Sequence, residues 1–271
     1  MTNMPWLSVI IGALVGVSLG LTGGGGSIFA VPLLVYGLGV PAREAVAMSL
    51  AAVGATALFG AVERLRAGEV EVPTGLLFSA GGILGAPLGA WIGGLIPDSA
   101  LLALFAGLMV VVAARMWGKA SGGEAGRHVP PTGACRRDEH GRLHLGAACL
   151  GRLVLVGGAT GILSGVFGVG GGFVIVPALV FFSGMEIHRA VATSLLAIAL
   201  IGASGVASFV LAGRPIPLAA TSLFIAGGVV GMVIGTRLRS KLPGPVLQKG
   251  FALAILGVAA FIVGQRIGYP H

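Results

Sequence analysis

Two glycine clusters are the residues of this chain best placed to do chemistry. Gly23 to Gly26 lead into Ser27-Ile28-Phe29-Ala30-Val31-Pro32, and Gly168 to Gly172, interrupted at Val169, lead into Phe173-Val174-Ile175-Val176-Pro177. A glycine run breaks a helix, lets the backbone turn and leaves amides unpaired at the start of the next helix. Those amides, with the positive end of a helix dipole behind them, attract an anion. Inside a bilayer such a break survives only where it is buried in protein or lines a cavity. Gly24, Gly25 and Gly26 in the first cluster and Gly170, Gly171 and Gly172 in the second are therefore the candidate substrate-binding amides. Glycine also serves plain close packing of membrane helices. That simpler reading suits Gly82, Gly85 and the run Gly89 to Gly93, but packing does not require the truncated helix that follows each of the two clusters.

Hydroxyls extend the candidate anion shell. Ser49 and Ser194 occupy matching positions after the two short helices, Thr193 stands beside Ser194 where Met48 stands beside Ser49, and Thr22 and Ser27 flank the first cluster. Against this, a hydroxyl in a membrane helix commonly bonds a carbonyl one turn back or a neighbouring helix. Ionisable residues inside a membrane segment normally mark function. Here Arg43, Glu44, Glu63, His188 and Arg189 all lie near segment ends, where they serve either as interfacial anchors or in anion attraction and coupling. No Ser-His-Asp set, HExxH or GxxxxGK[ST] occurs in the apolar blocks, so the reading is not an enzyme, with no cofactor and no catalytic residue. Cys135, His140, His144 and Cys149 fit no compact zinc spacing, so no metal site is expected, and two cysteines in one polar stretch make no disulfide framework.

The elements that must hold these groups follow from composition. Of 271 residues, 56% are hydrophobic and 10% charged, against about 25% charged in soluble domains. The mean hydropathy is +1.01 and the formal net charge +8. The basic residues fall between apolar blocks rather than along one stripe, which excludes a nucleic-acid partner. The expected fold is an all-α polytopic membrane protein whose partner is the lipid bilayer. Apolar blocks are expected at 5–22, 27–39, 44–65, 72–97, 99–117, 150–167, 173–184, 189–212, 217–236 and 246–265. Most reach the roughly 20 residues that cross a bilayer; 27–39 and 173–184 do not. The first block lacks a basic flank and a cleavage site, so 7–20 is read as a retained segment.

The short blocks correspond because the chain is duplicated. A shift of 145 residues places Gly23 on Gly168, Pro32 on Pro177, Ala45-Val46-Ala47-Met48-Ser49-Leu50 on Ala190-Val191-Ala192-Thr193-Ser194-Leu195, and Gly82 on Gly227. About 21 of roughly 86 ungapped positions are identical, some twofold above what this narrow composition gives. The chain thus divides into a first membrane repeat (1–117), a polar linker (118–149) and a second membrane repeat (150–271). Lysine and arginine are dense in the linker, at Arg64 and Arg66, and at Arg237, Arg239, Lys241 and Lys249. Five segments per half would put all of them on the cytoplasmic side and make the halves an inverted repeat, which the charge bias favours over four and four. The total is eight to ten segments, depending on whether each short block is counted.

The pattern Gly23-Gly24-Gly25-Gly26, Pro32 and Leu34, then Ala45 to Leu50, repeated as Gly170-Gly171-Gly172, Pro177 and Leu179, then Ala190 to Leu195, resembles the sulfite exporter TauE/SafE family over nearly all of the chain outside the linker. The resemblance implies a bacterial-type inner-membrane permease for a small sulfur-containing anion such as sulfite or an organosulfonate. The interruption at Val169 and the long charged linker depart from the pattern. Joined to the glycine breaks, the resemblance gives a secondary transporter exporting such an anion by alternating access. The alternatives are a passive anion channel of the same fold, and a membrane enzyme or sulfur-delivery partner acting through the loop between Cys135 and Cys149.

Overall fold

Apolar side chains cover the outside of this protein as well as its interior. In the computed structural model, Leu84 is 76% exposed, Leu155 73% and Leu211 88%, and Trp91, Leu95 and Leu218 are also largely uncovered. A soluble protein buries such a continuous apolar coat, whereas lipid tails solvate it. The structure describes residues 5–121, 136–137, 143–144, 146–214, 217–239, 250, 253 and 255–258.

Helices dominate, because only structures that satisfy their own backbone can stand in hydrocarbon. They are α1 (Pro5–Thr22), α2 (Gly25–Gly37), α3 (Ala42–Arg66), α4 (Val72–Leu95), α5 (Asp98–Ser121), α6 (Ala147–Phe167), α7 (Gly172–Ser183), α8 (Ile187–Leu211) and α9 (Leu218–Arg239). α3, α4, α6, α8 and α9 are each long and apolar enough to cross a membrane. The linker holds a two-residue antiparallel ladder, Arg136–Arg137 against Leu143–His144. The expected block 246–265 falls mostly outside the described residues, as do Cys135 and His140. Cys149, buried in the first turn of α6, is disulfide-bonded.

α2 and α7 are the two short blocks, and neither crosses the protein. Gly26 packs on the backbone of Ser18 and Leu19 while Gly37 meets the Ile11 side chain, so α2 runs back along α1. Gly171 likewise lies back beside Thr160, so the chain reverses between α6 and α7. Each pair is a helical hairpin with a long and a short limb. The short limbs are present but reach only part-way.

Glycine stripes bring the long helices together. Gly12, Gly16 and Gly20 of α1 pack on the backbone of α9 near Phe224, Gly228 and Met232, so these two helices run parallel. Gly81, Gly85 and Gly89 of α4 pack in the same way near Val154, Gly158 and Ile162 of α6. Such backbone approach replaces hydrophobic driving force with dense van der Waals contact. At the centre α3 and α8 cross antiparallel, with Gly54 against Gly202 and Gly205 against Leu50. α3 runs with α9 through Thr56 beside Gly228, and α8 runs with α4 through Gly82 beside Ile201. α1 therefore opposes α6 in direction, α3 opposes α8, and α4 opposes α9. Duplicated helices pointing opposite ways are compatible with the inverted repeat. The halves are also interlocked, since α1 packs on α9 of the other half and α4 on α6.

Candidate functional site

The two glycine breaks meet. A Cβ built on Gly172 would lie 2.5 Å from Gly24 Cα, and Ile198 stands within reach of both Gly24 and Gly170. Gly170 also faces Val53. Val53 and Ile198 lie near the middle of α3 and α8, so the breaks converge halfway through the bundle. Gly24, Gly26, Gly170, Gly171 and Gly172 are buried and Gly25 is half-buried. The backbone needs glycine here: Gly23 and Gly24 have φ of 72° and 143°, and Gly168, Gly170 and Gly171 have φ of 70°, 67° and 70°, a region that a Cβ disfavours. Val169 is tolerated because it is the one residue of its break, between Gly168 and Gly171, without positive φ.

Ser49 and Ser194 are both fully buried and use their hydroxyls in matched ways. Ser49 Oγ donates to the Gly168 carbonyl at 2.5 Å, and Ser194 Oγ donates to the Gly23 carbonyl at 2.6 Å. Each half thus holds the first glycine of the opposite break, and the two bonds are related by the same 145-residue shift as the sequences. The serine protons are spent on carbonyls, so in this conformation the pair clamps the loops instead of offering donors to an anion. Thr193 does not join them. Its Oγ1 accepts the backbone N–H of Glu71 at 3.0 Å, which ties α8 to the start of α4.

The two breaks differ in how their polar groups are satisfied. In the first, Thr22 Oγ1 accepts the Gly26 N–H at 3.0 Å and donates to Ser18, and Ser27 Oγ donates to the Gly24 carbonyl at 2.7 Å. α2 itself is irregular, with 3-10 turns over Gly25–Phe29 and π turns over Leu33–Gly37. In the second, Phe167 and Gly172 occupy the places of Thr22 and Ser27, and α7 starts as a regular α-helix with no side-chain cap at Gly171. Beside it Ser164 Oγ is, among the described residues, the buried side-chain polar atom that has no hydrogen-bond partner. Pairwise symmetry hides this serine in the sequence, because its counterpart in the first half is Leu19.

The charged candidates lie at the two ends. Arg43 and Glu44 open α3, and Arg43 pairs through Nε with Asp98 at 2.9 Å and donates from Nη2 to the Ile96 carbonyl at 3.1 Å. Glu63 closes α3, while His188 and Arg189 open α8 and are exposed at that same end. A residue the sequence reading passed over, Arg214, stacks on Phe209 at 5.2 Å and shares with Arg43 a cavity of about 10 Å³ that Val46, Gly165 and Val166 also line. That is space for a single water. A second, open groove of about 300 Å³, lined by Pro32, Leu33, Tyr36, Gly37, Gly257 and Val258, carries no charge. Among the described residues no three His, Cys, Asp or Glu side chains cluster as a metal site.

A buried, charge-free crossing of two broken helices inside a lipid-coated bundle is the geometry of a transporter core. Comparison with known proteins agrees. The chain is 35% identical over 256 residues to a probable membrane transporter protein of Xylella fastidiosa strain 9a5c, covering 93% of this chain and 92% of the relative. It is 25% identical over 258 residues to the probable membrane transporter protein YdhB of Bacillus subtilis, covering 93% and 98%. No solved structure matches. The family model described as sulfite exporter TauE/SafE matches residues 8–262. With the repeated glycine break, the match and the relatives all pointing one way, the chain belongs to the sulfite exporter TauE/SafE family of membrane transporters.

Proposed function

We propose that the protein is a secondary transporter that exports a small sulfur-containing anion, sulfite or an organosulfonate, across a bacterial-type inner membrane by alternating access. The observation that carries this reading is the meeting of Gly24 and Gly172 at mid-bundle, where amides and a helix dipole recognise a small oxyanion without a fixed positive charge. The close backbone packing there favours a gated site over an open pore. Side chains such as Arg64, Arg66, Arg152, Arg189 and Arg237 stand at the end of the bundle where α3 and α9 finish and α6 and α8 begin; Arg43 and Arg214 stand at the other. Cytoplasmic ends carry the excess of lysine and arginine, so the linker 118–149 lies in the cytoplasm and the Arg43–Arg214 mouth faces outward.

Everted membrane vesicles containing the protein are expected to accumulate labelled sulfite, and Gly170→Val, which forces a Cβ into a left-handed backbone against Val53, to abolish it. Vesicles that take up no more sulfite than those lacking the protein reject the reading. Unitary currents in reconstituted bilayers, well above transporter turnover, would replace it with a channel.

A further inference from the structure

We propose that the anion is held where the second-half break starts α7, with Ser164 Oγ as its side-chain hydrogen-bond donor. The inference rests on the transport reading above and names a binding residue within that site. Three observations carry it.

The first is the orphaned hydroxyl. Thr22, Ser79, Thr160, Ser183, Ser208 and Thr221 each donate to the carbonyl four residues back in their own helix. Ser164 has the same option and does not use it, although it is fully buried. Buried hydroxyls almost always find a partner, and an exception calls for a missing one. The second is its aim. Ser164 follows Thr160 by one turn on α6, and Thr160 touches Gly171, the residue that starts α7. Helical side chains lean toward the N-terminal turn, so Ser164 leans from the last turn of α6 toward the level of Gly171. The α6 face carrying Gly161 and Gly165 is turned to α4, which leaves Ser164 on the side of the break.

The third is the contrast between the breaks. Among the described residues the N–H groups of Val169, Gly170 and Gly171 have no backbone acceptor, and those of Val174 and Ile175 return to the Gly171 carbonyl. No side chain caps α7. In the first break Thr22 Oγ1 accepts the Gly26 N–H and Ser27 Oγ donates to the Gly24 carbonyl, and a 3-10 turn follows. Both breaks leave glycine amides without a backbone acceptor, but the second has no hydroxyl of its own bonded to it and has the orphaned Ser164 beside it. Gly165 and Val166, the residues next to Ser164, line the small cavity that Arg43 and Arg214 share.

The test is sulfite binding by the purified protein, read as thermal stabilisation across a sulfite titration, beside sulfite uptake into everted vesicles. Ser164→Ala is expected to raise the apparent Kd about tenfold or more, because a hydrogen bond to an ionised group is lost. Its melting temperature without sulfite stays at or above that of the wild type, which a structural hydroxyl would not allow. Ser164→Cys, nearly isosteric with a weak donor, is expected to weaken binding too and serves if the alanine variant does not accumulate. Thr22→Ala is expected to melt earlier while keeping its affinity. Unchanged affinity in both Ser164 variants, or an equal loss in Thr22→Ala, overturns the assignment while sulfite binding by the wild type leaves the transport reading standing. A wild-type protein that neither binds nor moves sulfite overturns both.

Discussion

Ser49 and Ser194 are buried hydroxyls whose partners are carbonyls of the opposite half. Removing either leaves a buried carbonyl without its donor, at a cost of about 1–3 kcal/mol. Ser49→Ala and Ser194→Ala are therefore each expected to lower the unfolding free energy by that amount, measured by thermal melts in detergent, with only a secondary loss of transport. If the serines instead coordinated substrate directly, affinity would fall first and stability would hold. Their matched places after Ala45-Val46-Ala47 and Ala190-Val191-Ala192 were legible from the repeat, whereas their direction was not. A hydroxyl's rotamer depends on which acceptor the fold brings near, and those acceptors lie 119 and 171 residues away in sequence. Thr193 shows the same limit: nothing local foretells that it would accept the amide of Glu71.

Helices in this protein are positioned by what glycine leaves out. A Cβ on Gly161 would lie 2.7 Å from Gly82 Cα, whereas one on Gly107 would meet nothing within 4 Å. Gly161→Val is expected to force α4 from α6 and cost about 1–3 kcal/mol or more by overpacking. Gly107→Val, on α5, is expected to fold as well as the wild type, and paired melts compare the two. The sequence reading assigned Gly82, Gly85 and Gly89 to close packing, and α4 against α6 is packed in that way. The short helices were equally visible, because Pro32 and Pro177 follow glycine breaks at fixed distance and the apolar runs then end early. What composition could not supply was that α2 would wind unevenly while α7 stayed regular. That difference arises where Thr22 and Ser27 bond the backbone in one copy, and where Phe167 and Gly172 cannot in the other.

At the level of the whole bundle, the bodies that could move against each other are not the two halves of the sequence. One group contains α1, α2, α3 and α9, and the other α4, α6, α7 and α8, with the α3–α8 crossing between them. Each group borrows one helix from the opposite half. Fragments cut within the linker are therefore expected to fail to accumulate when expressed singly and to assemble into an active protein when expressed together, scored by membrane yield and sulfite uptake. Recovery of a stable, folded single half would contradict the exchange. The repeat itself could be read from aligned residues, but which helix of one half lies on which of the other depends on contacts between distant segments. The borrowed helices carry a last implication. A polypeptide of half this length, built to the same plan, could close its interior only by trading α4 with a second copy inserted upside down, so the fused chain does covalently what an antiparallel homodimer would otherwise achieve by encounter in the membrane.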